Sequence, residues 1–103
     1  MLELSILAGA KDDLDEAYNW YESKEIGLGD RFLSYVEDGF SLIRQHPEIF
    51  PVCTLDYRRA LISRFPFEMI YKCVGNRVVI YSVFNCYQNP QRWKSRLSGQ
   101  QNE

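Results

Sequence analysis

The chain has 103 residues, 46% apolar and 15% aromatic, enough for one small domain with a real core, which residues 1–103 are expected to form. No apolar run approaches the ~18 residues of a membrane span, and no charged stretch leads into a short apolar one as in a secretory leader, so a cytoplasmic protein away from membranes is expected. The formal charge of −2 disfavours an anionic partner only as a sum: residues 1–56 carry four basic and twelve acidic side chains, a net of −8, whereas residues 57–103 carry eight basic and two acidic, a net of +6.

In chain order, Leu2 to Leu7 reads as a short strand. Asp12 and Asp13 then open a helix, where acidic residues suit the positive N-terminal end. Leu14, Ala17, Tyr18 and Tyr21 give it one apolar stripe, and Gly27-Leu28-Gly29-Asp30 breaks it. A second helix follows, with Phe32, Tyr35, Val36, Phe40 and Ile43 on one face, and Pro47 and Pro51 bracket its exit. Two amphipathic helices joined by a short glycine-rich turn form a hairpin that must lay its stripe on something.

The second half supplies that surface. Tyr57 to Arg64, Phe67 to Val74 and Arg77 to Asn85 read as strands, the last two joined by Gly75-Asn76 in a tight hairpin. Closing it there sets Val74 opposite Arg77 and Phe67 opposite Phe84. One face then carries Phe67, Met69, Tyr71, Cys73, Val78, Ile80, Ser82 and Phe84 and takes the helices. The other carries Glu68, Ile70, Lys72, Val74, Arg77, Val79, Tyr81, Val83 and Asn85, half apolar and half charged. That second face is either a binding surface or ground covered by the C-terminal segment. Pro90 to Leu97 reads as a short terminal helix or turn with Trp93 and Leu97 on one face and Arg92, Lys94 and Arg96 as its basic side chains. The expected architecture is α+β: an N-terminal strand and a helical hairpin on one face of a small, mostly antiparallel sheet, with a short C-terminal helix or tail.

Neither metal nor cofactor is expected. Cys53, Cys73 and Cys86 are odd in number and lack a CxxC spacing, and His46 is the one histidine. Asp12, Asp13, Asp15 and Glu16 suit a helix N-terminus better than an ion site. No helix-turn-helix or zinc-finger signature offers direct DNA reading.

The ordered set Asp13-Leu14-Asp15-Glu16-Ala17, Trp20-Tyr21-Glu22, Gly27-Leu28-Gly29-Asp30-Arg31-Phe32, His46-Pro47, Arg58-Arg59-Ala60-Leu61, Arg64-Phe65-Pro66-Phe67, Met69-Ile70-Tyr71 and Asn89-Pro90-Gln91-Arg92-Trp93 resembles the RelE/ParE superfamily of bacterial type II toxins, over roughly Ala10 to Arg96. The Trp20-Tyr21-Glu22 and Arg64-Phe65-Pro66 stretches resemble the ParE-like branch more closely. The resemblance implies a toxin neutralised by a cognate acidic antitoxin, with operator DNA bound only through that antitoxin. ParE-like members are associated with inhibition of DNA gyrase, which needs a binding surface and not an active site. Arg58, Lys72, Arg77, Tyr81, Arg92, Lys94 and Arg96 are the candidate contacts to target or antitoxin.

RelE-like members instead cleave messenger RNA on the ribosome. A 2′-OH must lose a proton and the phosphate must be stabilised, and Tyr87, Arg64 and Arg59 are the candidates for that chemistry. Several departures run against it. Glu68 stands where both branches usually place Arg, and Asn85 where ParE-like sequences usually have His. Tyr87, Gln88 and Asn89 replace a common basic-basic-acidic run. A third reading is therefore an attenuated homologue that only binds its antitoxin.

Overall fold

The computed structural model describes residues 1–87 and Leu97. In chain order the elements are β1 (Glu3–Ile6), α1 (Ala8–Lys24), α2 (Leu28–Gln45), β2 (Val52–Thr54), β3 (Tyr57–Leu61), β4 (Phe67–Val74) and β5 (Arg77–Asn85). The strands form one sheet in the order β1-β5-β4-β3-β2. β1 runs parallel to β5, and the other pairs are antiparallel. Both helices pack on one face, so the α+β architecture is as expected. The expected terminal helix or turn over 90–97 lies outside the described residues, Leu97 excepted.

The first helix begins four residues before Asp12. Leu7 is extended and its carbonyl accepts the Lys11 N–H at 3.0 Å, while its own N–H donates to Ile80 O at 3.1 Å. The chain thus passes from β1 into α1 with no side-chain cap. Asp13 serves the sheet instead, and its Oδ2 accepts the backbone N–H of Val83, on β5, at 2.9 Å.

The hairpin turn is built by close approach. Gly27 takes φ 90°, a left-handed conformation that favours glycine, and serves as the N-cap of α2. Its side chain offers no acceptor, so Glu22 reaches across from α1 and accepts the Gly27 and Gly29 N–H groups at 2.9 and 3.0 Å. A Cβ on Gly29 would stand 2.8 Å from the Tyr18 ring and 2.9 Å from the Tyr18 carbonyl, so only glycine lets the helices meet there.

The core between helices and sheet takes Ala10, Leu14, Ala17 and Tyr21 from α1 and Phe32, Val36, Phe40 and Ile43 from α2. The sheet contributes Ala60, Phe67, Met69, Tyr71, Val78, Ile80 and Val83. At one end the aromatic rings pack edge-on, Tyr21 to Phe65 at 4.9 Å and Phe32 to Phe67 at 5.2 Å between centroids.

Three strand assignments differ from the sequence reading. β2 has no counterpart there, since three residues after Pro51 carry too little pattern to read as a strand. β3 stops at Leu61 rather than Arg64, because Arg64 takes φ 68° in a turn that the Ile62 N–H closes onto Phe67 O at 2.9 Å. In the hairpin, Val74 does face Arg77, but Phe67 faces Asn85 rather than Phe84. Tyr71 pairs with Ile80 and Ile70 with Ser82, leaving Tyr81 as an extra residue in β5. The side-chain period of two breaks there, so Val83 enters the helix-side core and Phe84 moves to the opposite face. Cys73, expected in the core, is exposed at the hairpin end.

Replacing Glu22 by Ala orphans two N–H groups at the start of α2 and should lower stability by about 1–2 kcal/mol. Gly29→Ala forces the Tyr18 contact apart and should cost about 1–3 kcal/mol. Urea midpoints of the two variants check both, and an unshifted midpoint for Glu22→Ala would show that water replaces the carboxylate.

Candidate functional site

The face of the sheet away from the helices has its own small apolar cluster. Tyr57, Ile70, Val79 and Tyr81 are buried there, and Leu97 lies among them with 2% of its surface exposed. Of the two readings of this face, cover from the C-terminal part of the chain is met at its middle by Leu97. Tyr57 and Tyr81 meet edge-on at 5.0 Å, and the Lys72 ammonium sits 4.9 Å from the Tyr57 ring centroid.

The cations around this cluster have acidic neighbours drawn from elsewhere in the chain. Lys72 Nζ lies 3.8 Å from Asp56 Oδ1, and Arg77 lies 3.8 Å from Glu3 across the β1–β5 pairing. The tightest pair is Arg59 Nε to Glu68 Oε2 at 2.7 Å. The other Glu68 oxygen accepts the Cys86 thiol at 3.3 Å. Burial first, and then the bond and charge of Glu68, push the Cys86 thiol up to about 11. Burial also raises the Cys53 thiol, against the lowering influence of Arg59.

Arg58 serves the helix side. It pairs with Tyr71 in register, and its Nη1 donates to the carbonyls of Phe50 at 2.7 Å and Glu48 at 3.3 Å. The Tyr71 hydroxyl donates to Pro47 O at 2.8 Å, and burial pushes this phenol up to about 12. Arg58 and Tyr71 together hold the loop from α2 to β2.

Comparison with known proteins decides the family to which this sheet and hairpin belong. The model of the ParE toxin of type II toxin–antitoxin systems (parDE) matches residues 4–90. The chain belongs to the ParE toxin family. Its fold is similar to a structure of the chromosomal ParDE toxin–antitoxin system from P. aeruginosa, with TM-score 0.70 and 20% identity over 82% of this chain and 96% of that one. It is also similar to a copper-bound mutant toxin from Helicobacter pylori, with TM-score 0.59 and 12% identity over 82% and 94% of the two chains. At these identities the likeness is one of fold. No curated protein matches the chain in sequence.

The residues expected for nuclease chemistry gather at one end of this ParE-family sheet. The Cys86 N–H donates to Pro66 O at 2.7 Å, which brings the end of β5 beside the turn that carries Arg64. Tyr87 is 88% exposed and its N–H donates to Asn85 Oδ1 at 2.8 Å. Arg59 points into the same region but is held by Glu68. Lys72 and Arg77 lie toward the Gly75-Asn76 end of the hairpin, Tyr81 is buried, and Arg92, Lys94 and Arg96 lie outside the described residues. The acidic partners Asp56 and Glu3 were not legible in advance, because both pairings depend on strand neighbours distant in sequence or on a turn.

With Cys86 raised to about 11, only about one thiol in a thousand is ionised at pH 8, so alkylation of this exposed cysteine should be slow. Glu68→Gln removes the charge that opposes ionisation and should accelerate labelling of the Cys86 peptide by iodoacetamide, followed by mass spectrometry. An unchanged rate would mean that Glu68 does not govern this thiol.

Proposed function

We propose that this ParE-family chain is the toxin half of a type II toxin–antitoxin pair, that it acts by binding an essential target, DNA gyrase, and that a cognate acidic antitoxin neutralises it. The family match over residues 4–90 carries the reading. The site geometry supports contact rather than catalysis. A ribonuclease must remove a proton from a 2′-OH and steady the charge that develops on the phosphate. Here Arg59 already faces a carboxylate at 2.7 Å, and that carboxylate would repel a phosphate brought to the same end.

In this reading Lys72 and Arg77 are rim contacts for target or antitoxin, and Tyr81 backs them from beneath. Arg58 contributes through the loop it holds, and Arg92, Lys94 and Arg96 form a further contact to gyrase. Operator DNA is bound only through the antitoxin, and the pair works in the cytoplasm. Tyr87, Arg64 and Arg59 would form the working set of a RelE-like ribosome-dependent endoribonuclease. That second reading draws on the gathering of these residues at one end of the sheet.

Induced expression without the antitoxin should arrest growth, and the purified chain should block supercoiling by gyrase while ribosome-bound mRNA stays intact. Tyr87→Phe should leave toxicity unchanged, and replacing Arg92, Lys94 and Arg96 together by Glu, with Leu97 kept in the buried cluster, should abolish it. Cleaved mRNA with unaffected supercoiling would move the assignment to the nuclease branch. Normal growth with soluble protein would leave only a homologue that binds its antitoxin.

A further inference from the structure

Two hairpins of the sheet close through two-residue loops. Thr54 pairs with Tyr57 across Leu55-Asp56, and Val74 pairs with Arg77 across Gly75-Asn76. In each loop the first residue is left-handed, Leu55 with φ 49° and Gly75 with φ 63°. Loops of this kind favour glycine at that position, because a Cβ there crowds the backbone. A Cβ on Gly75 would meet nothing within 4 Å, so this glycine answers the backbone angle and not a shortage of room. The first loop carries a leucine at the equivalent position. Among the described residues Arg64 is the other non-glycine residue with positive φ, and its exposed side chain is at least a charged one.

Leu55 therefore stands against two preferences at once. Its backbone angle favours glycine or asparagine, and its side chain is 66% exposed and outside both apolar clusters. An exposed leucine alone is ordinary. A leucine that is both exposed and strained gives the fold nothing that glycine would not give better, and strain of this kind is kept where the side chain is used. The surroundings narrow the use. Asp56 Oδ1 lies 3.8 Å from Lys72 Nζ, so the turn sits beside β4 and these two charges offset each other. Two residues farther along β4, Val74 is 51% exposed. Lys72 already has the Asp56 carboxylate and the Tyr57 ring as neighbours, which ill suits it to a chain of phosphates or to an acidic antitoxin segment. An apolar knob on a charge-compensated rim fits an apolar pocket of another protein.

We propose that Leu55 is an anchor by which the chain grips its target, with the side chain entering an apolar pocket on the target protein, and that a left-handed leucine is kept for this contact although the turn favours glycine. The proposal rests on the reading of this chain as a toxin that acts by binding, and it sets the target contact apart from the antitoxin contact.

The test compares full-length variants by urea midpoint, by inhibition of supercoiling with purified DNA gyrase, by growth arrest on induction, and by binding of the acidic protein encoded by the adjacent reading frame. Leu55→Gly and Leu55→Asn relieve the backbone and should hold or raise the urea midpoint. Both should raise the concentration needed to inhibit gyrase about tenfold or more and abolish growth arrest, with antitoxin binding unchanged. Leu55→Met, which keeps the reach of an apolar side chain, should retain most of the inhibition. Ile26→Asn, at the 93%-exposed turn of the helical hairpin, should change none of these. Glycine and asparagine variants as inhibitory and as toxic as the wild type would overturn the anchor. A midpoint lowered in both would overturn it too, since the leucine would then serve the fold. Antitoxin binding lost together with inhibition would place Leu55 in the antitoxin contact, against the proposal. Growth arrest lost in both variants, with gyrase untouched even by the wild type, would uphold the anchor and remove gyrase as the target. A wild-type chain that neither inhibits gyrase nor arrests growth would overturn the toxin reading and this proposal with it.

Discussion

The bond from the Val83 N–H to the Asp13 carboxylate, at 2.9 Å, ties the first helix to the bulged strand in the interior of the sheet. A buried amide left unpaired costs about 1–3 kcal/mol. The carboxylate from α1 meets that need and fixes the height of α1 over β5. Ser82, buried beside it, places its Oγ 3.4 Å from the same oxygen. The bulge in turn decides which large side chains lie on which face. Val83 joins the helix-side core, and Phe84 is released to the opposite face, where it packs against the cluster of Tyr57, Ile70, Val79 and Tyr81.

The acidic half of the chain is organised by a second carboxylate with a structural part to play. Glu22 caps α2 from the end of α1, and Gly29 lets the two helices meet against Tyr18. Negative charge is dense around this turn, and the Asp30 carboxylate, more than any other cause, raises the Tyr18 phenol across it. Within the motifs Trp20-Tyr21-Glu22 and Gly27-Leu28-Gly29, the positions Glu22, Gly27 and Gly29 are thus explained by the turn.

Among the described residues, four of the five basic side chains of the second half are held by other groups. Arg59, Lys72 and Arg77 each stand within 4 Å of a carboxylate, and Arg58 is turned to the carbonyls of a loop. A surface so compensated favours recognition by shape and apolar contact, with charge setting register, over the concentrated positive potential that phosphate chemistry requires.

The sequence by itself determined the elements whose cause is local. The 3.6-residue stripes of Leu14, Ala17 and Tyr21 and of Phe32, Val36, Phe40 and Ile43 placed the helices and their buried sides. Gly75-Asn76 placed the hairpin, with β4 and β5 bounded as read. It also carried the family, because the ordered motifs survive without any contact map. Tertiary structure alone decided the bulge at Tyr81, since a period of two shows no sign of an extra residue until a partner strand sets the register. Asp13 reads as a helix-terminal acid, and its bond to Val83 spans 70 residues. Arg59 and Glu68 are nine residues apart and show their mutual charge only once β3 lies against β4. The net of +6 was legible, but the pairing of Lys72 with Asp56 and of Arg77 with Glu3 was not, because Coulomb's law acts over distances in space that only the packed strands define.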